Sequence, residues 1–324
     1  MKYRKLGNTD IDVSVICLGT MKFGEQNSQQ DGFDQMNYAV ERGVNFFDTS
    51  DTYGDGRSEK FLAELIKSTS EKLFVTTKLG RRVRGTNYPK GYKQEPMEEF
   101  IDRSLMNLGV DCIDLVQLHC PPSEICSKKE TYEMMDAIVQ KGKVAHYGVS
   151  VHKLSDAMEA IQFPNVKSIQ IVFNIFRQKP AEVFLKEAKK RNVGIIARGP
   201  LASGLLTGTI NQETKFPQND HRNYNINGDA FDVGETFSGV NFEKGLKAVE
   251  KLKDLLPDNF SLTDLALKWI LMHDEVSVVI PGAKNKSQAL MNLQASDLEE
   301  ISSLLPIINS IYEELIKPDV HSRW

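Results

Sequence analysis

Four side chains in this sequence combine in a way that suits proton transfer to an oxygen atom: Asp48, Tyr53, Lys78 and His119. A phenol is a weak acid at neutral pH, with an ordinary pKa of about 10. An ammonium beside it favours the phenolate and lowers that value, and a carboxylate beside the ammonium keeps the latter charged and placed. Tyr53, Lys78 and Asp48 supply those three parts. A neutral imidazole at His119 can then donate a hydrogen bond to a carbonyl oxygen and turn it towards the phenol. With a hydride arriving at the carbon, the constellation suits carbonyl reduction.

The elements that must position these groups are short apolar runs. Asp48 and Tyr53 follow Val44 to Phe47, Lys78 ends the stretch that begins at Lys72, and His119 ends Ile113 to Leu118. Further runs of the same kind are Val13 to Leu18, Val144 to Val149, Ser168 to Phe173, Val193 to Ala197 and Val276 to Ile280, eight in all. Between them lie amphipathic patterns at 28–42, 57–69, 96–109, 127–141, 153–162, 180–191, 241–272 with a break at Pro257, and 286–294. Many of these start after Ser, Asp or Pro, as helix N-termini do. Continuous apolar strands alternating with helices fit a parallel sheet buried on both faces, and eight such units close into a (β/α)8 TIM barrel. An open doubly wound sheet is the competing architecture. In a barrel, chemistry sits at the C-terminal ends of the strands, where all four residues fall.

The opening Lys2 to Asp10 carries turn chemistry and reads as a β-hairpin plugging the N-terminal face of the barrel. The polar stretch 198–240 between the seventh strand and its helix is far longer than an ordinary βα connection, and such an excess is usually functional. Residues 297–324 read as one more amphipathic helix and a tail, ordered because a terminal Trp324 is costly to expose. No linker composition interrupts the chain, so residues 1–324 are expected to form a single barrel domain.

Composition closes off other classes. With 40 Lys+Arg against 44 Asp+Glu and a net charge of −4, there is no positive field to attract phosphate backbones or acidic lipid. No window is apolar enough for a spanning helix and the N-terminal residues lack a signal-peptide pattern, so a cytoplasmic location is expected. The four cysteines, at 17, 112, 120 and 126, show no zinc-site or disulfide spacing and read as reduced, mostly buried thiols. No metal is expected.

Seven segments, in order, resemble the aldo-keto reductase family. They are Leu18-Gly19-Thr20-Met21, Phe47-Asp48-Thr49-Ser50 with Tyr53-Gly54, Thr77-Lys78, Gln117-Leu118-His119, Tyr147-Gly148-Val149-Ser150, Gly199-Pro200-Leu201 and Ile280-Pro281-Gly282. The resemblance implies a (β/α)8 barrel that uses NADPH without a dinucleotide-binding Rossmann fold, with Tyr53 as general acid, Lys78 and Asp48 tuning it, and His119 orienting the substrate. It further implies that Gly19, Thr20 and Met21 approach the nicotinamide, and that Ser150 and Gln170 bind its carboxamide. Ribose and pyrophosphate would run along Gly199, Pro200, Leu201, Ser203, Gly204 and Leu206. The last cluster would be Gly282, Lys284, Lys286, Gln288 and Asn292. Lys284 and Lys286 flank a helix start and suit a 2′-phosphate, which favours NADP over NAD and leaves NAD open. Three positions depart from the usual family pattern: Gln288 stands where many members carry arginine, Arg198 where an aromatic ring is common, and Val151 where Asn is usual. An Arg198 plane can stack on nicotinamide as a ring does.

Phe23, Arg81, Arg82 and Tyr88, with Phe216, His221, Arg222 and Tyr224 of the long loop, are candidate walls of the substrate pocket. The basic pair Arg81-Arg82 suits oxygen-rich or anionic substrates. The expected partner is thus a small carbonyl compound, or a sugar or polyol in reverse, with a homo-oligomer left open. The same family includes the cytoplasmic β subunits of voltage-gated potassium channels, which bind NADPH and act as regulatory partners. Those subunits often carry an N-terminal inactivating arm, and this sequence starts at the hairpin.

Overall fold

In the computed structural model, which describes residues 1–21, 29–81, 92 and 94–324, the apolar runs become parallel strands. The strands are β3 (Leu18–Gly19), β4 (Phe46–Asp48), β5 (Phe74–Leu79), β6 (Ile113–His119), β7 (Val144–Ser150), β8 (Val166–Val172), β9 (Gly194–Arg198) and β10 (Val276–Ile280). Each pairs in parallel with its successor in the chain. Parallel bridges Ile16↔Val279 and Gly19↔Gly282 bring the two ends of the sheet together. The architecture is therefore the (β/α)8 barrel, and the open doubly wound sheet is excluded by that closure.

The first apolar run is not one strand. Asp12–Ser14 (β2) pairs antiparallel with Tyr3–Lys5 (β1), so the hairpin extends to Ser14, beyond the expected Asp10. From Val15 the chain changes partner, and the Val15 carbonyl accepts from Val279 N–H at 2.9 Å. Leu6, Ile11 and Val13 of the hairpin pack with Cys17, Phe46, Phe74, Leu115, Ile196 and Val278. The hairpin thereby closes the N-terminal end with apolar side chains and leaves the other rim for chemistry. Gly7 sits with φ 55°, and a Cβ there would lie 2.3 Å from Gly194 N, so only glycine allows this approach.

Helices follow the strands as the periodicity implies, and Lys286–Gln294 coincides with the expected range. The long 241–272 pattern resolves into Phe242–Lys253 and Leu262–Leu271, the second opened by a reciprocal Ser261/Asp264 capping box. The C-terminal segment is not a single regular helix. Leu305–Ile311 widens into a π-helical turn at Tyr312–Ile316 before Lys317–Val320, because Pro318 has no N–H to continue the α ladder. Trp324 is ordered and 9 % exposed. Its indole donates to Asp232 Oδ1 at 3.2 Å and the Arg177 guanidinium lies 3.6 Å from the ring centroid, so the tail pins the 198–240 stretch. Among the described residues, no helix is long and apolar enough to cross a membrane.

Candidate active site

Strand order brings three of the four residues together, and the turn that follows β4 carries Tyr53. β4, β5 and β6 are neighbours, and their C-terminal ends carry Asp48, Lys78 and His119. Lys78 Nζ donates to Asp48 Oδ1 at 2.6 Å, to the Thr49 carbonyl at 2.8 Å and to Tyr53 Oη at 3.4 Å. The lysine and aspartate side chains are 2 % and 4 % exposed, so the pair is held out of water. A buried ion pair of this kind persists only when its remaining polar atoms are satisfied. Here they are: Asp48 Oδ2 accepts from Gln170 Nε2 at 2.7 Å, and Gln170 Oε1 accepts from Ser150 Oγ at 3.2 Å. One polar chain thus runs from β7 through β8 to β4 and β5.

Burial works against the Lys78 charge, but Asp48 and Tyr53 outweigh it and hold the ammonium above its ordinary pKa. Tyr53 departs from the expectation of a lowered value. Burial pushes its phenol up, Lys78 pulls it down, Asp48 and Glu235 push it up again, and the net direction is upward. Residue types reveal the ammonium but not the burial or the counter-charge that cancels it. The hydroxyl is therefore a fully protonated donor at neutral pH.

His119 is pushed well below its ordinary value, first by burial and then by the charges of Arg81, Lys78 and Arg198, so the ring is neutral as expected. Its ring stands edge-on to Tyr53, centroids 6.5 Å apart. Nε2 lies 3.4 Å from Arg81 Nη1 and Nδ1 lies 3.3 Å from Ser50 Oγ. A guanidinium only donates, so Nε2 accepts in this arrangement and the ring proton sits on Nδ1. The Tyr92 hydroxyl donates to the His119 carbonyl at 3.0 Å and fixes the strand end.

The residues expected to hold a dinucleotide lie on the adjoining half of the rim, after β7 (Ser150), β8 (Gln170), β9 (Arg198 to Leu206), β10 (Gly282 to Asn292) and β3 (Gly19 to Met21). These five ends are contiguous because the Gly19↔Gly282 bridge joins the last strand to the first. A Cβ at Gly282 would meet nothing within 4 Å, and Lys284, Lys286 and Gln288 are exposed beside the start of the Lys286–Gln294 helix. Open backbone, a helix N-terminus and two lysines fit a phosphate-bearing cofactor. Several of these side chains are committed inside the protein. Thr20 Oγ1 donates to the Asp48 carbonyl, Asn292 Nδ2 donates to the Gly282 carbonyl, Gln288 Oε1 accepts from Lys284 N–H, Ser203 Oγ donates to the Glu235 carbonyl and Leu206 is buried in the core. They shape the loops of this half of the rim. Gly199, Ala202, Ser203 and Gly204 all have positive φ, the sharp bend that carries the chain across the rim with Pro200 and Leu201.

Of the candidate wall residues, Arg81 enters the site. Arg222 turns instead to Asp220, at 2.6 Å, and over Phe216, while His221 contacts Thr236 and Tyr224 is exposed. Phe23, Arg82 and Tyr88 lie outside the described residues. Arg198 Nη2 bonds the Val151 carbonyl at 3.0 Å and His152 Nδ1 at 3.1 Å. Residue-by-residue reading missed Cys120, His152 and Glu235. The first two follow β6 and β7 and were open to the strand-end rule, whereas Glu235 lies deep in the long loop with no local signal.

The C-terminal rim of the barrel thus gathers a protonated phenol, a buried ammonium–carboxylate pair and a neutral imidazole. The Aldo/keto reductase family model matches residues 15–312, and the chain belongs to that family. It is 27 % identical to the aldo-keto reductase yakc [NADP(+)] of Schizosaccharomyces pombe, covering 87 % of this chain and 82 % of that one. It is likewise 27 % identical to a probable voltage-gated potassium channel subunit beta of Arabidopsis thaliana, over 98 % and 97 % of the two chains. Among solved structures, the glycerol dehydrogenase AKR11B4 from Gluconobacter oxydans is similar with a TM-score of 0.81 at 25 % identity, over 97 % and 96 %.

Proposed function

We propose that residues 1–324 act as one catalytic barrel that reduces an aldehyde or ketone to an alcohol with NADPH, or runs the reverse reaction on a polyol. The contact set of Lys78 Nζ, 2.6 Å from Asp48 and 3.4 Å from the Tyr53 hydroxyl, carries this reading. The cofactor, when bound, supplies the hydride. Tyr53 donates its proton to the carbonyl oxygen as negative charge develops there, and Lys78 stabilises the phenolate left behind. Asp48 keeps Lys78 charged in a site where burial opposes charge, and Gln170 and Ser150 hold Asp48 in turn. His119 donates to the same oxygen when the carbonyl takes the place of Arg81 at Nε2 and the ring proton moves to that nitrogen. Lys284 and Lys286 support NADP over NAD.

A panel of aldehydes, ketones and polyols assayed with NADPH and NADH tests this reading, followed by nicotinamide absorbance. NADPH-dependent turnover exceeding that with NADH is expected. The likeness to the channel subunit favours a second reading, a cofactor-binding regulator. Tight NADPH binding with no turnover of any compound would select it.

A further inference from the structure

The rim beyond Tyr53 carries more charge than proton transfer uses. Glu235 reaches in from the Val233–Glu235 turn of the long loop and stands 3.6 Å from Arg81 Nη1, 3.8 Å from Arg198 Nη1 and 3.4 Å from His152 Nε2. None of these is a close pair, whereas Arg222 and Asp220 in the same loop meet at 2.6 Å. Arg198 Nε is buried and has no hydrogen-bond partner among the described residues. Among the described residues, Glu235 thus meets all three basic side chains loosely, and two guanidiniums share its one carboxylate. The slot they line is continuous with the reaction site, since Arg81 also lies 3.4 Å from His119 Nε2.

Cys120, His152 and Glu235 offer ligand atoms within 4.8 Å of one another, a spacing that could suit a metal ion. Two guanidiniums at the same atoms oppose a cation there and favour an anion. Arginines are suited to carboxylates because their fork matches the two oxygens.

We propose that this slot recognises a carboxylate on the substrate, with Glu235 as its resident competitor; the proposal rests on the carbonyl-reduction reading above. A short-chain oxo acid would place its carboxylate between Arg81 and Arg198, displace Glu235, and draw Arg81 away from Nε2 of His119. The enzyme then prefers anionic carbonyl compounds over neutral ones of the same shape.

The test compares kcat/KM for 4-oxobutanoate and its methyl ester in the wild type, Glu235→Gln and Arg81→Leu, with calorimetric titration of succinate as an unreactive probe. The acid-to-ester ratio should exceed one in the wild type, rise about tenfold in Glu235→Gln, where the competitor has lost its charge, and fall in Arg81→Leu. Succinate should bind about tenfold more tightly to Glu235→Gln. A ratio and a succinate affinity that stay the same or fall in Glu235→Gln overturn the proposal and make Glu235 an anchor of its loop. If neither aldehyde nor any compound of the panel above is turned over, the carbonyl-reduction reading falls, and the succinate titration alone decides whether the slot binds carboxylates.

Discussion

Replacing Asp48 by Asn removes a charge from the buried pair while keeping the shape of the side chain. Both carboxylate oxygens accept in the native site, from Lys78 and from Gln170, and an amide offers one acceptor only. Gln170 can answer by turning its own amide over, because Ser150 Oγ can accept as well as donate. The charge has no such remedy, since every acceptor left to Lys78, the amide oxygen of the substituted side chain, the Thr49 carbonyl and the Tyr53 hydroxyl, is neutral. Leaving one member of a buried pair uncompensated costs about 3–5 kcal/mol. Loss of the lysine proton caps the cost: starting from the ordinary value of 10.5, it amounts to about 5 kcal/mol at pH 7 and about 2 kcal/mol at pH 9. The folded-state pKa of Lys78 in the variant then lies below its unfolded value, so the unfolded chain binds more protons and stability rises with pH. Urea unfolding should show Asp48→Asn several kcal/mol less stable at pH 7 and recovering by about 2–3 kcal/mol at pH 9. Asp48→Asn/Lys78→Met should regain most of the stability and none of the carbonyl reductase activity. Equal stability loss at both pH values, or a double variant that turns substrate over, would refute the reasoning.

Three other outcomes follow from the same structure. His119 titrates well below 6.5 in the folded protein, so as pH falls below 6.5 the unfolded chain takes up a proton that the folded one does not. Wild type should lose up to about 2 kcal/mol between pH 6.5 and pH 5 that His119→Gln does not lose, read by urea midpoints. Lys284→Ala/Lys286→Ala should weaken NADPH binding about tenfold and leave NADH binding nearly unchanged, read by fluorescence titration. Trp324→Ala removes the ring that packs on Arg177 and bonds Asp232, and should cost about 3 kcal/mol and open 198–240 to limited proteolysis.

Much of the architecture was legible because the barrel strands are buried on both faces and so read as continuous apolar runs. The ends of three of those runs carry Asp48, Lys78 and His119. Tyr53 lies five residues past its strand and was found through the chemistry it completes. Where the reading failed, long-range geometry decides. Nothing local tells Ser14 from Val15, yet one pairs with the hairpin and the other faces β10. The direction of the Tyr53 shift is set first by burial, with Asp48 and, from 182 positions away in sequence, Glu235 adding to it against Lys78. That Arg81 turns to Glu235 and His119 follows from how the long loop folds back over the rim, whereas Arg222 is taken by Asp220, two residues before it.

The central claim is that the Tyr53 hydroxyl delivers the proton. Tyr53→Phe removes that one oxygen, which accepts from the lysine at 3.4 Å, and keeps the ring that packs edge-on to His119. Single-turnover NADPH oxidation with an aldehyde should slow by about 10²–10⁴-fold, while NADPH affinity and the urea midpoint stay near the wild-type values. Undiminished turnover in Tyr53→Phe would contradict the account.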